Sequence, residues 1–426
     1  MRICMLSVHT CPLAVLGGKE TGGMNVYVRE LSKELARQGF EVDVFTRSQD
    51  HGVPRVVHDL GPRVEVIHVP AGPEAPYDKN KVYDHLPEFT AGVLAYAAQH
   101  GYRYDVIHSH YWLSGVAAKT LRTVWGGTPV VQMFHTLGEL KNQVAETPAQ
   151  RESERRITNE GEIMRFADRI VAASPLEKME MQRLYGADPA KITVIPPGVD
   201  LNKFRPIPQD EAKAWIGILC ESQNILFVGR IEPLKGVETL LRALAFMVQE
   251  DPTWARRVCV SIIGGDASVP VEQMESEMAR LHALRAELGL NDLVAFLGKQ
   301  AQDTLPYYYS AADVVVMPSH YESFGMVALE AMACGTPVIA SRVGGLPYNV
   351  LDGVTGILVP ERNPEALARE IMRLLTDEPL RRRLGEAAAQ VARYYSWERI
   401  AAQVIDLYHQ VIHQRCTTSH PASVPA

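Results

Sequence analysis

Short β-rich runs alternate with longer amphipathic patterns from the first residue onward, and this alternation confines the chain to parallel sheets assembled from strand–helix–strand units. Residues 2–8 read as a first strand. Residues 22–38 follow as a helix with Val26, Val28, Leu31 and Leu35 on one face, and Gly39 stands where a helix stop is expected. Further strands read at residues 41–46, 64–69, 106–109, 130–134, 170–173 and 192–195, with helices at residues 88–99 and 155–166. The stretch from Ile195-Pro-Pro-Gly to Phe204-Arg-Pro-Ile-Pro is too rich in Pro and Gly to continue a helix or a central strand. After it the rhythm restarts, with strands expected at Ile225, Val258, Val294, Val314 and Pro337.

The expected fold class is therefore α/β, with two Rossmann-like doubly wound domains whose strand ends face a central cleft. The domains are expected at residues 1–205 and 206–394, followed by a helix at 395–414 and a disordered tail at 415–426. A chain of 426 residues is long enough for two such cores. Its net charge of −7 excludes a chain-wide basic footprint for nucleic acid, so any anion must be held locally. The six cysteines are scattered, without zinc-ligand or disulfide-framework spacing, and no apolar run is long enough to span a membrane. A cytoplasmic location is the expectation.

Three loops carry residue types suited to anion chemistry. Gly17-Gly-Lys-Glu-Thr-Gly-Gly-Met-Asn follows the first strand and opens the first helix, where free N–H groups and the helix dipole favour a phosphate. It is neither a dinucleotide-binding fingerprint nor a P-loop. In the corresponding place of the second domain, Arg230 and Lys235 bracket a loop and could neutralise a diphosphate without a metal. In the third, Ser323 reads as an N-cap, leaving the N–H groups of Gly325, Met326 and Val327 free at a helix start. Glu322 precedes that helix and Glu330 falls about two turns into it, so that two carboxylates reach different hydroxyl groups of one ligand.

These motifs, with Gly229-Arg-x4-Lys235 and Ile195-Pro-Pro-Gly-Val-Asp in the same order, resemble those of the retaining GT-B glycosyltransferases of family 4. The likeness covers residues 1–412 and is strongest to two branches, the bacterial sucrose-phosphate synthases and the inositol-phosphate N-acetylglucosaminyltransferases of mycothiol synthesis. It implies that Arg230 and Lys235 hold the diphosphate, Glu322 the donor sugar and Glu330 the ribose. Gly325, Met326 and Val327 would bind phosphate, Gly23 would face the reacting centre, and His135 would lie beside the donor sugar. On the acceptor side it implies Asn25, Lys79, Tyr111, Thr136, Lys141 and Arg156, the last preferred to Arg155 by its spacing to Ala167-Asp-Arg. No D-x-D triplet occurs, and the resemblance implies metal-independent transfer with a UDP-sugar as co-substrate and no further cofactor.

The two branches differ in acceptor. Gly-Met-Asn early and Glu-Ser-Phe-Gly-Met-Val late lean toward inositol phosphate with UDP-N-acetylglucosamine. The segment from Lys79 to Phe89 resembles that of the sucrose-phosphate synthases, and acceptor loops set acceptor choice. The expectation is thus transfer of glucose from UDP-glucose to fructose 6-phosphate, giving sucrose 6-phosphate and UDP, with a sugar phosphatase as a functional partner.

Overall fold

The computed structural model describes residues 1–14, 21–145, 147–218, 222–266, 274 and 276–418. Its two units divide at Pro196/Pro197. The first spans Gly23–Pro196 together with the N-terminal strand and the helix Trp397–Thr418, and the second spans Pro197–Ser396.

In the first unit the strands are β1 (Arg2–Leu6), β2 (Glu41–Arg47), β3 (Val56–Val57), β4 (Val64–Val69), β5 (Val106–His110), β6 (Val130–Met133), β7 (Arg169–Ala172) and β8 (Ile192–Val194). They form one sheet in the order β3-β4-β2-β1-β5-β6-β7-β8, parallel except for β3. β1 reads Arg-Ile-Cys-Met-Leu because its last four side chains are sealed from solvent, as expected of a central parallel strand covered on both faces. The helix Gly23–Arg37 buries Val26, Tyr27, Leu31 and Leu35.

In the second unit β9 (Gln223–Val228), β10 (Val258–Ile263), β11 (Val294–Gly298), β12 (Val314–Met317), β13 (Val338–Ser341) and β14 (Gly356–Val359) form a wholly parallel sheet in the order β11-β10-β9-β12-β13-β14. The helix Val237–Glu250 packs Leu240, Leu241, Leu244 and Met247 into its core.

Each sheet reverses its winding beside its first strand. β1 lies between β2 and β5, and β9 lies between β10 and β12. Open α/β sheets bind ligands outside the strand carboxyl ends at such switch points. The loops after β1, β5, β9 and β12 are therefore the places to look.

Several expectations are corrected. The first unit ends at Pro196 rather than at residue 205, because Phe204 packs its ring 6.0 Å from Tyr309 and the Val199 amide bonds to Tyr395 O at 2.8 Å, both within the second unit. The last helix starts at Trp397, two residues late, and runs to Thr418 instead of fraying at 415. It belongs to the first unit, where Trp397 meets the Tyr27 ring edge-on at 5.4 Å and the Tyr408 hydroxyl shares a 2.7 Å hydrogen bond with His108 Nδ1. The remainder of the expected tail, residues 419–426, lies outside the described residues, as do Gly17 to Glu20 of the first glycine-rich loop. No described helix is long and apolar enough to cross a membrane.

Candidate active site

In the second unit the chain leaves β9 through Gly229 and Arg230, makes the short turn Pro233–Lys235 and enters the helix Val237–Glu250 at Gly236. Gly236 has φ +69°, and a Cβ there would stand 1.9 Å from Pro318 O, so this loop and the one after β12 touch backbone to backbone. The amide of His320 donates to Leu234 O at 2.8 Å, closing the same junction. The junction brings Lys235 Nζ to 2.5 Å from Glu322 Oε2. Both side chains are largely buried, so their attraction is screened less than that of a surface pair. Arg230 is turned differently, its Nη1 pairing with Glu232 Oε1 at 2.8 Å.

Past Glu322 the expected N-cap at Ser323 is corrected. The helix Met326–Ala333 is capped by Gly325, whose φ of +93° lets the backbone turn into the helix without any side-chain cap. Asn349 holds this turn, its Nδ2 donating to Phe324 O at 2.7 Å. By helix geometry the N–H groups of Met326 and Val327 have no intrahelical acceptor, which leaves an anion cradle one residue beyond Gly325. Glu330 lies within that helix, buried, and its Oε2 accepts from the Tyr309 hydroxyl at 2.7 Å. Burial and this carboxylate raise the Tyr309 pKa well above its usual value, keeping the hydroxyl a donor.

In the first unit two non-glycine residues at strand ends carry positive φ, Tyr111 (+73°) after β5 and His135 (+61°) after β6. Among the described residues only Arg362 shares this feature. Such backbone is held by its surroundings at an energetic cost and concentrates at functional sites. His135 Nε2 lies 2.9 Å from His110 Nδ1, and its ring meets Tyr27 edge-on at 5.3 Å. Burial lowers the His135 pKa to about 3, so at neutral pH its imidazole is uncharged.

Arg156 joins these strand ends. Fully buried, it donates from Nη1 to the Tyr111 hydroxyl at 3.0 Å and from Nη2 to Thr136 O and Oγ1 at 2.8 and 3.0 Å. Its Nε donates to Glu160 Oε1 at 2.7 Å, and Nη1 also pairs with Glu152 Oε1 at 2.9 Å. Lys141 Nζ reaches the same Glu152 oxygen at 2.8 Å. The charge of Lys79 is felt by His9, Tyr111, Lys141 and Glu152. Burial, with the neighbouring cations Lys79 and Arg156, lowers the Lys141 pKa against the opposing pull of Glu152. Arg155, in contrast, points to the surface, pairing with Asp84 at 3.1 Å.

Of the expected acceptor residues, Tyr111, Thr136, Lys141 and Arg156 thus form one cluster within electrostatic reach of Lys79. Asn25 is occupied elsewhere, its Nδ2 donating to Thr10 Oγ1 and Cys11 O, both at 2.7 Å, which ties the segment after β1 to the first helix. Gly23 stands exposed at the start of that helix. Sequence reasoning missed Glu152 and Glu160. For Glu160 the available signal was its place four residues after Arg156 on one helix face, whereas Glu152 precedes the helix N-cap Ser153 and carried no such signal. It also missed His110 and Asn349, which act through another residue and lie in no motif. Among the described residues no group of three or more His, Cys, Asp or Glu is arranged to hold a metal.

Two doubly wound units in one chain, each with polar and charged loops at its switch point, are the architecture of GT-B glycosyltransferases. Residues 21–203 match the model of Glycosyltransferase Family 4, and residues 209–391 that of Glycosyl transferases group 1. The chain is 42% identical to a D-inositol 3-phosphate glycosyltransferase of Saccharomonospora viridis, covering 96% of this chain and 94% of that protein. It is 44% identical to one of Streptomyces bingchenggensis, covering 96% and 90%. Among solved structures it is similar to a sucrose-phosphate synthase from Thermosynechococcus elongatus, with TM-score 0.88, 38% identity and coverage of 97% and 99%. The chain belongs to the group 1 glycosyltransferases of family 4, with the GT-B fold.

Proposed function

We propose that the protein transfers a sugar, with retention of anomeric configuration, from a UDP-sugar to a phosphorylated acceptor. The observation that carries this reading is the grouping of Lys141 and Arg156, within electrostatic reach of Lys79, around Tyr111 and Thr136 at the strand ends of the first unit. A cationic group of this kind, with Arg156 buried and Lys141 partly so, suits a phosphate ester, which offers two charges and three acceptor oxygens.

On the donor side Arg230, Lys235 and the N–H groups of Met326 and Val327 neutralise the diphosphate as the bond from the anomeric carbon to its oxygen breaks. Glu322 holds the sugar hydroxyls and Glu330 the ribose. Gly23 and His135 of the first unit are the residues that the family resemblance assigns to the donor sugar. The acceptor hydroxyl attacks from the face that UDP leaves, and its proton passes to the departing β-phosphate oxygen. The two carboxylates are therefore binding groups, not the acid and nucleophile of a glycosidase.

For the acceptor, the two relatives named for inositol 3-phosphate match nearly the whole chain at 42% and 44% identity, and this favours inositol phosphate. Glucose transfer from UDP-glucose to fructose 6-phosphate is the second reading. It is supported by the segment from Lys79 to Phe89 and by the likeness to a sucrose-phosphate synthase. Whole-chain identity outweighs that one segment, which reverses the order expected from the sequence. A product phosphate could then be removed by a sugar phosphatase. The test is nucleoside-diphosphate release by purified protein, without added metal, with UDP-glucose, ADP-glucose and UDP-N-acetylglucosamine each crossed with inositol phosphate and fructose 6-phosphate. Release confined to UDP-N-acetylglucosamine with inositol phosphate is expected. Release confined to UDP-glucose with fructose 6-phosphate establishes the second reading, and release with neither acceptor overturns both.

A further inference from the structure

Two carboxylates flank Arg156, and they differ in how they are held. Glu160 is fully buried and accepts from Arg156 Nε, from the Gly138 amide at 2.9 Å and from the Tyr185 hydroxyl. Those bonds tie the helices Glu154–Phe166, Gly138–Val144 and Pro175–Tyr185 together, so Glu160 is part of the framework. Glu152 is anchored through its backbone, whose amide donates to Asn142 Oδ1 at 2.7 Å, and the next residue, Ser153, caps the helix Glu154–Phe166. Its carboxylate takes both cations, Lys141 at 2.8 Å and Arg156 at 2.9 Å, on the single oxygen Oε1. The side chain can therefore turn away while the backbone stays in place.

We propose that Glu152 is an internal stand-in for the acceptor phosphate, occupying the seat among Lys79, Lys141 and Arg156 and giving it up only to a ligand anionic enough to displace it. The inference rests on the reading of a phosphorylated acceptor. Its consequence is selectivity. A neutral sugar or polyol offers only hydroxyls and does not compete with a carboxylate for two cations, whereas a phosphate dianion brings twice the charge and bidentate geometry. The carboxylate matches an anion's seat electrostatically, because Arg156, Lys141 and Lys79 hold it ionised to a pKa of about 2 against the opposing effect of burial. With Glu152 in place, the charges of Lys141 and the buried Arg156 are already met by an anion before the acceptor arrives.

The test compares wild type with Glu152→Gln, using inorganic phosphate as a competitor of the phosphorylated acceptor. Removing the internal rival lowers the Ki of inorganic phosphate and the KM of the phosphorylated acceptor about tenfold, with the KM of the UDP-sugar unchanged. Glu152→Asp, too short to span both cations, shifts both constants the same way by less and serves if the amide variant does not fold. A Ki that rises or stays the same shows that Glu152 instead holds Lys141 and Arg156 in position, and overturns the proposal. Failure of the underlying reading looks different. Wild type then uses the unphosphorylated acceptor as well as the phosphorylated one and is not inhibited by phosphate, and the stand-in role falls with it.

Discussion

Lys235 Nζ lies 2.5 Å from Glu322 Oε2, and this pair ties the loop after β9 to the loop after β12 at the switch point of the second sheet. Each residue holds the other in place, and under the proposed function this arranges the charges before a nucleotide-sugar arrives.

Replacing Glu322 with Gln keeps the shape of the side chain and removes its charge. Donor binding, read by calorimetry, is expected to stay within a few-fold of wild type, while kcat falls by about 100-fold or more. Retained donor binding with undiminished transfer contradicts the role given to Glu322 at the donor sugar.

Gly236→Ala acts on the same junction through the backbone. Its φ of +69° and the 1.9 Å approach of Pro318 O leave no room for a methyl group. The loops after β9 and β12 must separate, and donor affinity is expected to fall at least tenfold while the first unit is unaffected. Nucleotide titration of the variant measures this.

Arg156→Leu removes the cation shared by Glu152 and Glu160, leaving two buried carboxylates without it. Breaking a buried ion pair from one side costs about 3–5 kcal/mol. Denaturant unfolding is expected to show a loss of that order, together with loss of acceptor-dependent turnover.

Stability is expected to fall on acidification. His9, His108 and His135 have pKa values lowered by burial to about 3 from an unfolded value of 6.5. Between those limits the unfolded chain binds the extra protons, so each histidine removes about 1 kcal/mol per pH unit as pH drops below 6.5. Glu177, pushed up to about 7 by burial, acts in the opposite direction between pH 7 and 4.5. Three histidines outweigh one glutamate, and the denaturant midpoint is expected to drop between pH 7 and pH 5. In Glu177→Gln, which lacks the opposing group, it drops more steeply.

The division into two α/β units was legible because buried parallel strands must be continuous apolar runs, as in Val314–Met317 and Val338–Ser341. β14 escaped notice because Gly356-Ile-Leu-Val is short and opens on a glycine, chosen because Val338 O stands 2.3 Å from where its Cβ would be. The helix Tyr111–Val124 was missed since it starts directly from β5 without a capping side chain. In the candidate site, residues within motifs, such as Lys235 and Glu322, could be named because short-range spacing carries them. Glu152 could not, because its importance arises from Lys141, eleven residues away, and from the inward turn of Arg156.

The central claim is that the first unit selects its acceptor by a phosphate. The most direct measurement is kcat/KM with the phosphorylated acceptor that supports UDP release, against the same acceptor without its phosphate, at saturating donor. Discrimination of about 1,000-fold or more in favour of the phosphorylated form is predicted, as expected when buried charged groups are left unmatched by the wrong substrate. Equal kcat/KM for the two would contradict the account.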